Sequence, residues 1–401
     1  MKKILTFFAA LTVFASSLFG FEFRDRYFEL YTHVPVSVSN SAFFLNDIMK
    51  KEVVIDLKDF ASQLPPKGIA LSAMFAPETG FNLNLDKVRI NGAFGVDVQG
   101  TFSIPKEVVE FIANGNKLNE DISANLEANG DVFVYLSSSV KILNEKYSFT
   151  VAPALFMPVT HTELNNAKAV FRNSADGTFG FEATGEAAVY SPFDMAHMDN
   201  SVATDAFGLI MAGAGFDLAG GMDYEILPGL RVKGFMQCPI VPGRLGKKSS
   251  ISFTSKGEVN VSDVINGNYP EVSTDTSDFT TESTDFMINR PFRISAGCDW
   301  YGLGKWLICS AEAGFGVKYP FTEAAVFYPE YNMSVTLCGA NIASIQLGSQ
   351  YQKQVFSHYA GFRLNARIFE LDWGISASSP SFVGSFNGGG YGAYVSVRSG
   401  F

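Results

Sequence analysis

Apolar and polar residues alternate with a period of two along most of the chain. From Ile69 to Phe401 this alternation fills segments of about 10 to 18 residues, separated by Gly, Asn, Asp, Ser or Pro. One apolar face reads Leu307, Cys309, Ala311, Ala313, Phe315, Val317 and Tyr319. Because successive side chains of a strand point to opposite faces, the pattern predicts an all-β fold with no helical domain.

The length of the segments separates two kinds of β protein. Strands of soluble sandwiches average about 5 to 6 residues, whereas a tilted membrane strand needs about 9 to 11. The long segments therefore predict a transmembrane antiparallel β-barrel. Its lumenal face would carry charged side chains that pair with opposite charges, namely Arg89, Asp97, Glu182, Glu186, Arg231, Lys233, Glu312, Arg363, Arg367 and Arg398.

The connections predict the number of strands. Thirteen strands begin near residues 69, 88, 130, 146, 178, 206, 228, 250, 286, 305, 332, 356 and 387. If the last strand ends in the periplasm, one earlier strand must bring the chain outward, and Val53–Lys58 supplies a candidate, which makes about fourteen strands. Short turns alternate with long segments, as periplasmic turns alternate with extracellular loops. Ser191–Asp205 is the exception, a long segment on the predicted periplasmic side.

The N-terminus and the charge indicate the compartment. Lys2 and Lys3 precede an apolar stretch over Ile4–Ala15 and small residues before Gly20, the pattern of a cleaved signal peptide over residues 1–20. After it, no apolar run reaches the roughly 18 to 20 residues of a membrane helix, although 47% of the chain is hydrophobic. The formal net charge of -10 argues against a nucleic-acid partner.

The last residues of the chain form an alternating segment that ends in an aromatic residue. Tyr391, Ala393, Val395, Val397, Ser399 and the terminal Phe401 share one face. This ending resembles the C-terminal signal of bacterial outer-membrane barrels, an alternating last strand that finishes in an aromatic residue. The resemblance implies an outer-membrane location and insertion by the barrel assembly machinery.

Residues 21–50 precede the predicted barrel of residues 51–401 and include the aromatic-rich stretch Ser39–Ile48. A segment of this length before about fourteen strands resembles the N-terminal plug of the outer-membrane long-chain fatty-acid transporter family. That family often carries Asn-Pro-Ala in its plug, where this chain has Asn40-Ser41-Ala42. The resemblance implies a lumenal plug and a hydrophobic ligand. The plug's apolar contacts to that ligand would be Phe43, Phe44, Leu45 and Ile48, or else these residues pack the plug itself.

A second candidate binding element lies outside the strands. Ser103–Gly115 predicts a helix, with Pro105 near its first turn and Gly115 past its end. Val108, Phe111 and Ile112 fall on one side of it. In an extracellular loop this face either forms a groove for an acyl chain or simply caps the barrel rim.

Three other groups of residues bear on a chemical role. The acidic stretch Asp263–Asp285 matches no EF-hand spacing and favours a solvated loop over a cation site. Cys298 and Cys309 lie opposite each other if the hairpin turns on Leu303 and Gly304, which permits a disulfide, but free thiols are favoured. With four His and no nucleophile motif, no enzyme, metal site or cofactor is predicted.

Three functions remain open. The favoured one is a monomeric outer-membrane channel for uptake of hydrophobic small molecules such as long-chain fatty acids. The chief alternative is a diffusion porin for small polar solutes, which the inward Arg and Glu residues support. The third is a surface barrel whose loops bind host or neighbouring-cell ligands.

Overall fold

Segments of alternating side chains form strands, and a computed structural model joins twenty of them, within the residues that it describes, into one antiparallel sheet. It describes residues 26–40, 56–64, 68–114, 120–175, 177–197, 200–260, 272–303, 306–322, 325–339, 342–352, 355–379, 382–386 and 389–401. The strands are β1 Phe28–Asn40, β2 Ile69–Phe75, β3 Glu78–Leu85, β4 Val88–Ile104, β5 Asp121–Asn125, β6 Glu127–Leu143, β7 Tyr147–Asn173, β8 Thr178–Ser191, β9 Gly215–Leu227, β10 Leu230–Val241, β11 Gly243–Asn260, β12 Val272–Thr276, β13 Thr280–Ile288, β14 Phe292–Gly302, β15 Leu307–Lys318, β16 Val326–Gly339, β17 Ala343–Gln352, β18 Val355–Ala366, β19 Phe369–Ser379 and β20 Gly390–Gly400. The described helices are α1 Leu57–Gln63, α2 Lys106–Asn114, α3 Asn200–Ala212 and α4 Phe382–Phe386.

The sheet closes into a barrel of fourteen wall strands, as predicted. Nine of the twenty strands cross the wall alone. The others combine into five interrupted wall strands, which are β2 with β3, β5 with β6, β8 with β9, β10 with β11, and β12 with β13 and β14. β1 pairs with β20 on one side and with β2 and β3 on the other, so the sheet has no open edge there.

Phe28, at the start of β1, and Phe401 lie at one end of the barrel. Phe28 donates its backbone N–H to the Phe401 carbonyl at 3.1 Å, and Phe401 donates back at 3.0 Å. The turns at this end are short, and Asp86 and Arg367 adopt left-handed backbone angles in two of them. The connections that contain α1, α2 and α4 lie at the opposite end. Short turns are typical of the periplasmic end and long loops of the extracellular end.

The outward faces of the wall strands form an apolar belt. Leu347, Trp373 and Ile375 are 59%, 46% and 62% exposed, and other outward positions are similar. A continuous apolar surface of this kind is stable only against another apolar phase, so the belt marks a membrane-spanning barrel. No described helix is long and apolar enough to cross a membrane.

The first wall strand corrects the predicted plug. Residues 28–40, placed in the plug of residues 21–50, form β1 in the wall and pair with β20. They alternate like other strands, with Glu29 and His33 inward and Leu30 and Val36 outward, so the prediction of a plug is wrong for these residues. The predicted first strand Val53–Lys58 is also wrong where it is described, because α1 begins at Leu57.

The predicted count of strands was right although four boundaries were not. Starts near 206 and 250 split single wall strands, because residue 206 lies in α3 and residue 250 lies within β11. β17 and β19 were missed. The turn before β19 contains Arg367 and Ile368 and neither Gly nor Pro, so the sequence carries no turn signal there.

One wall strand is interrupted near mid-length. β7 pairs with β9 through residues 147–156 and with β8 through residues 161–173, and residues 192–214 with α3 lie between β8 and β9. The segment predicted as a long periplasmic connection, Ser191–Asp205, therefore begins within the wall. At the break β7 and β11 approach directly, with Phe156 and Pro158 packed against Gly243.

This close approach gives a prediction for Gly243. A Cβ on Gly243 would lie 2.8 Å from Pro158 Cδ and 3.0 Å from Phe156 Cε2, whereas a Cβ on Gly246 meets no atom within 4 Å. We expect Gly243→Val to lower the free energy of unfolding by about 1–3 kcal/mol through overpacking, and Gly246→Val to change it far less. Denaturant unfolding in phospholipid vesicles measures both, and equal effects would contradict this account of the break.

Two smaller predictions are resolved by the strand register. Cys298 faces Ala311 and Cys309 faces Trp300, so the two thiols are not opposite each other, and all four cysteines are free. The hairpin turn is longer than the two residues assumed. In the acidic stretch, residues 272–276 and 280–288 form β12 and β13 instead of a loop, and residues 263–271 lie outside the described residues.

Candidate functional site

Every second residue of each wall strand faces the lumen, and most of these side chains are polar. A cavity of about 520 Å³ lies beside β1, β17, β18 and β19. Gln99, Gln346 and Gln350 line it together with serines such as Ser37 and Ser357. Asp372 and His33 also line it, so the cavity offers a solute hydrogen bonds from neutral side chains beside one carboxylate.

The inward charges predicted from the alternation are paired for the most part. Lys233 Nζ lies 2.9 Å from Asp299 Oδ1 and 3.9 Å from Glu312 Oε2. Lys248 Nζ lies 2.6 Å from Glu186 Oε1. The lumen thus carries ion pairs that cross between neighbouring strands, as the prediction of an inward charged face requires.

An apolar cluster interrupts this polar lining. It is built by inward side chains of β6, β7, β8, β11 and β13, next to the break in the wall. Its fully or nearly fully buried members are Phe133, Phe156, Ala188, Tyr190, Leu245 and Ile288, with Tyr135 and Phe286 packed against them. We call these eight residues the lumenal apolar cluster. A water-filled pore has no need of such a cluster, because its inner wall is ordinarily polar.

A buried polar network covers one edge of the lumenal apolar cluster. His161, 2% exposed, places Nδ1 2.7 Å from Asp131 Oδ1, and its ring stacks on Phe286 at 4.9 Å. Tyr190 stacks on Phe286 at 4.1 Å and donates its hydroxyl to Glu163 Oε1 at 2.9 Å. The His161 and Tyr190 rings are therefore each fixed by a polar partner as well as by stacking on Phe286.

An ion pair supports the opposite edge of the cluster. Asp217 is 1% exposed, and Arg290 Nη1 lies 3.2 Å from its Oδ2. Gln237 donates to the same oxygen at 3.4 Å. The Arg290 guanidinium also lies over the Tyr135 ring, 4.9 Å from its centroid, so it joins the buried carboxylate to the aromatic side of the cluster.

The structure places only part of the predicted ligand-binding set. Phe43, Phe44, Leu45 and Ile48 lie outside the described residues.

The predicted helix of the extracellular loop exists as α2, but its packed face differs. Val109 is buried against Ala61 and Leu64, whereas Ile112 is 62% exposed. The Phe111 ring stacks on Phe171 at 4.7 Å and on Phe179 at 5.5 Å. Val108 is half-buried. The role of Val108, Phe111 and Ile112 in ligand binding stays a prediction.

A Ser–His contact lies on the outward side of the wall. Ser385 Oγ in α4 is 2.9 Å from His358 Nε2, and it also lies 2.6 Å from the Phe382 carbonyl. Ser385 is fully buried, and in the described part of the chain no carboxylate contacts His358. The pair therefore lacks the orienting acid and the accessible nucleophile of a hydrolase.

The sequence interpretation missed the lumenal apolar cluster. Phe133 and Phe156 are inward residues flanked by apolar outward ones, Val132, Val134 and Leu155. Where both faces of a strand are apolar, alternation alone does not show which residue faces the lumen. The available signal was this loss of alternation, at places that lie on neighbouring strands.

Comparison with known proteins gives similarity in fold alone. No protein-family model matches the chain, and no curated protein matches it by sequence. The toluene transporter TbuX of Ralstonia pickettii is 10% identical, with 94% of this chain and 90% of that chain covered and a TM-score of 0.46. The toluene transporter TodX of Pseudomonas putida is 10% identical over 93% and 89%, with a TM-score of 0.44. A Pseudomonas aeruginosa FadL homologue is 9% identical over 94% and 91%, also with a TM-score of 0.44.

Proposed function

We propose that this barrel is an outer-membrane channel for the uptake of hydrophobic small molecules, such as long-chain fatty acids. The observation that carries the proposal is the lumenal apolar cluster. Burial of a large apolar side chain contributes about 1.5–3 kcal/mol. Six members of the cluster are already buried against one another, and the half-buried Tyr135 and Phe286 present the apolar surface that a ligand would cover. Transport of such molecules needs this surface, whereas free diffusion of polar solutes does not.

A second apolar element supports the extracellular start of this route. Phe111 on α2 stacks with Phe171 and Phe179, and Ile112 beside it is exposed. This rim would make the first contact with an apolar molecule, which then reaches the lumenal apolar cluster. Phe43, Phe44, Leu45 and Ile48 remain proposed contacts of the same ligand. The protein partners implied are the bilayer and the barrel assembly machinery, and the proposed functional unit is a monomer.

The proposal is tested at Phe286, whose ring lies on His161 and Tyr190. We expect Phe286→Ser to lower uptake of radiolabelled oleate by cells that express the protein by about tenfold, because an apolar contact of about 1.4 kcal/mol is lost. Phe235→Ser, which removes an inward Phe outside the cluster, is the matched control and keeps most of the uptake. Equal uptake by both variants would contradict the assignment of the cluster.

The alternative of a diffusion porin rests on a separate observation, the polar cavity that Gln99, Gln346 and Gln350 line. A pore that uses this cavity would conduct ions steadily in planar bilayers. It would also co-purify without lipid. Mass spectrometry of co-purified ligands together with single-channel recording decides between the two functions, since steady conductance without any bound acyl chain favours the porin.

A further inference from the structure

The cavity beside β1, β17, β18 and β19 differs in chemistry from the rest of the lumen. Ser, Thr and Gln supply eleven of its twenty-two lining residues, so hydroxyl and amide groups dominate its surface. Of the described residues that line it, none is Lys or Arg, and Asp372 is the one carboxylate. Tyr394 donates its hydroxyl to Asp372 Oδ1 at 3.1 Å, which occupies part of that carboxylate. We call this space the glutamine cavity.

The strand register explains why the neutral polar groups of the glutamine cavity share one surface. Ser357 of β18 pairs with Gln350 of β17 on one side and with Ser378 of β19 on the other. Across the cavity, Ser39 of β1 pairs with Ser72 of β2. Directly paired residues of neighbouring strands point to the same face of a sheet. Hydroxyl and amide groups therefore stand side by side on the inner wall, whereas ion pairs occupy the inner wall near Lys233.

Ser378 is placed to bind a group inside the cavity. Its side chain is buried, and its hydroxyl has no hydrogen-bond partner among the described residues. Buried hydroxyl groups of folded proteins ordinarily have a partner, because an unpaired one lowers stability. The amides of Gln350 and Gln352 line the same cavity and, within the described ranges, form no side-chain hydrogen bond. Three neutral polar side chains are thus available to one ligand.

Two tyrosine rings supply the apolar part of the glutamine cavity. Tyr359 lies over Gly348 and Tyr394 lies over Gly374, so closely that a Cβ on either glycine would overlap the ring. Tyr359 also donates its hydroxyl to Asn332 Oδ1 at 3.2 Å. Packing against the backbone and a polar partner therefore fix the rings beside the hydroxyl and amide groups.

We propose that the glutamine cavity binds a neutral sugar. Amide and hydroxyl groups both donate and accept hydrogen bonds, as the adjacent hydroxyls of a sugar do. A tyrosine ring has an apolar body and a polar tip, which match the C–H face and the hydroxyl rim of a sugar ring. The cavity volume of about 520 Å³ falls within the roughly 300–1,000 Å³ that is usual for small-molecule sites.

The inference goes beyond the proposed function. No residue of the lumenal apolar cluster lines the glutamine cavity, so the two sites are built from separate parts of the described inner wall. A saturable sugar site also differs from a diffusion pore, in which a polar solute passes without a defined place of binding.

The test is equilibrium dialysis of the full chain against radiolabelled maltose, in a detergent whose headgroup is not a sugar. We expect saturable binding of one maltose per chain. Gln350→Leu/Ser378→Ala removes two hydrogen-bonding groups from the cavity and should raise the Kd about tenfold. The matched control, Ser139→Ala/Thr150→Val, removes two lumenal hydroxyls outside the cavity and should keep the natural Kd. Absent or unsaturable binding by the natural protein, or an equal rise of the Kd in both variants, overturns the proposal.

Competition on the natural protein needs no variant to fold. Glucose should displace maltose, whereas mannitol has no ring to lie on the tyrosines and gluconate carries a charge that the cavity does not compensate. Both should therefore displace maltose less well than glucose does at the same concentration. Displacement by mannitol or by gluconate as strong as that by glucose overturns the assignment of a neutral sugar.

Uptake of oleate separates this inference from the proposed function. The variant Gln350→Leu/Ser378→Ala should take up oleate as the natural protein does, because it leaves the lumenal apolar cluster unchanged. If the natural protein binds maltose and takes up no oleate, the proposed function fails and the sugar site stands. If it takes up oleate and binds no maltose, the sugar site fails and the proposed function stands.

Discussion

Deletion of Phe28–Asn40 abolishes the folded barrel, and this is the largest effect we expect. β1 makes eleven residue pairs with β20 on one side, and five and six pairs with β2 and β3 on the other. Without it, two strand edges with unpaired N–H and C=O groups would stand in the hydrocarbon core, where each unsatisfied group costs several kcal/mol. The measurement is the migration of unboiled against boiled protein on a detergent gel, with no difference expected for the deletion variant.

The control is a deletion of equal length that leaves the wall intact. α3, Asn200–Ala212, has thirteen residues, as β1 has, and lies in the insertion between β8 and β9. Replacement of α3 by a short Gly-Ser linker should preserve the heat-dependent shift. If loss of β1 leaves the shift and opens a steady conductance, residues 28–40 act as the predicted plug and not as a wall strand.

Replacement of Arg290 by Met should destabilise the barrel by about 3–5 kcal/mol, because it leaves the carboxylate of Asp217 buried without a cation. Asp217 is 1% exposed, and Arg290 Nη1 at 3.2 Å is its charged partner. Met preserves an apolar contact with the Tyr135 ring, so the loss reports on the charge. Denaturant unfolding from phospholipid vesicles, followed by tryptophan fluorescence, gives the free energy of unfolding.

Two further variants establish the cause of that loss. Asp217→Leu combined with Arg290→Met removes both charges and should recover most of the stability. Arg244→Met breaks a pair with Asp285 whose side chains are 59% and 63% exposed, and it should cost less than about 1 kcal/mol. A double variant no more stable than Arg290→Met would show that the loss comes from packing and not from the unpaired carboxylate.

The wall of the barrel was predictable because the alternation of apolar and polar side chains lies within each strand. The alternation within each strand indicates which face meets lipid. The faces predicted from Leu307 to Val317 and from Tyr391 onward agree with the structure, whereas Tyr319, predicted on the first of them, lies against His161. The even number of wall strands follows from the predicted side of the last strand, whereas the value of fourteen was reached because two false starts offset two missed strands. Boundaries were less predictable where a turn lacks Gly and Pro, as at Arg367.

The features that the sequence did not predict depend on contacts between segments far apart in the chain. The position of Phe28–Asn40 in the wall depends on its pairing with β20 at the other end of the chain, and a short alternating segment after a predicted signal peptide does not indicate that partner. The lumenal apolar cluster likewise arises only when β6, β7, β11 and β13 are brought together.

The hydrogen bonds between Phe28 and Phe401 have a consequence for the order of folding. The contact joins residues separated by almost the whole chain, so its formation carries the largest loop-closure entropy of any strand pairing in the barrel. Each of the other neighbouring strands can pair across a nearer connection. We therefore expect β1 and β20 to pair last during folding. In a circularly permuted chain, Phe28 and Phe401 would be joined and the new ends would lie in an extracellular loop. The pair of β1 and β20 would then be an ordinary hairpin with a short connection.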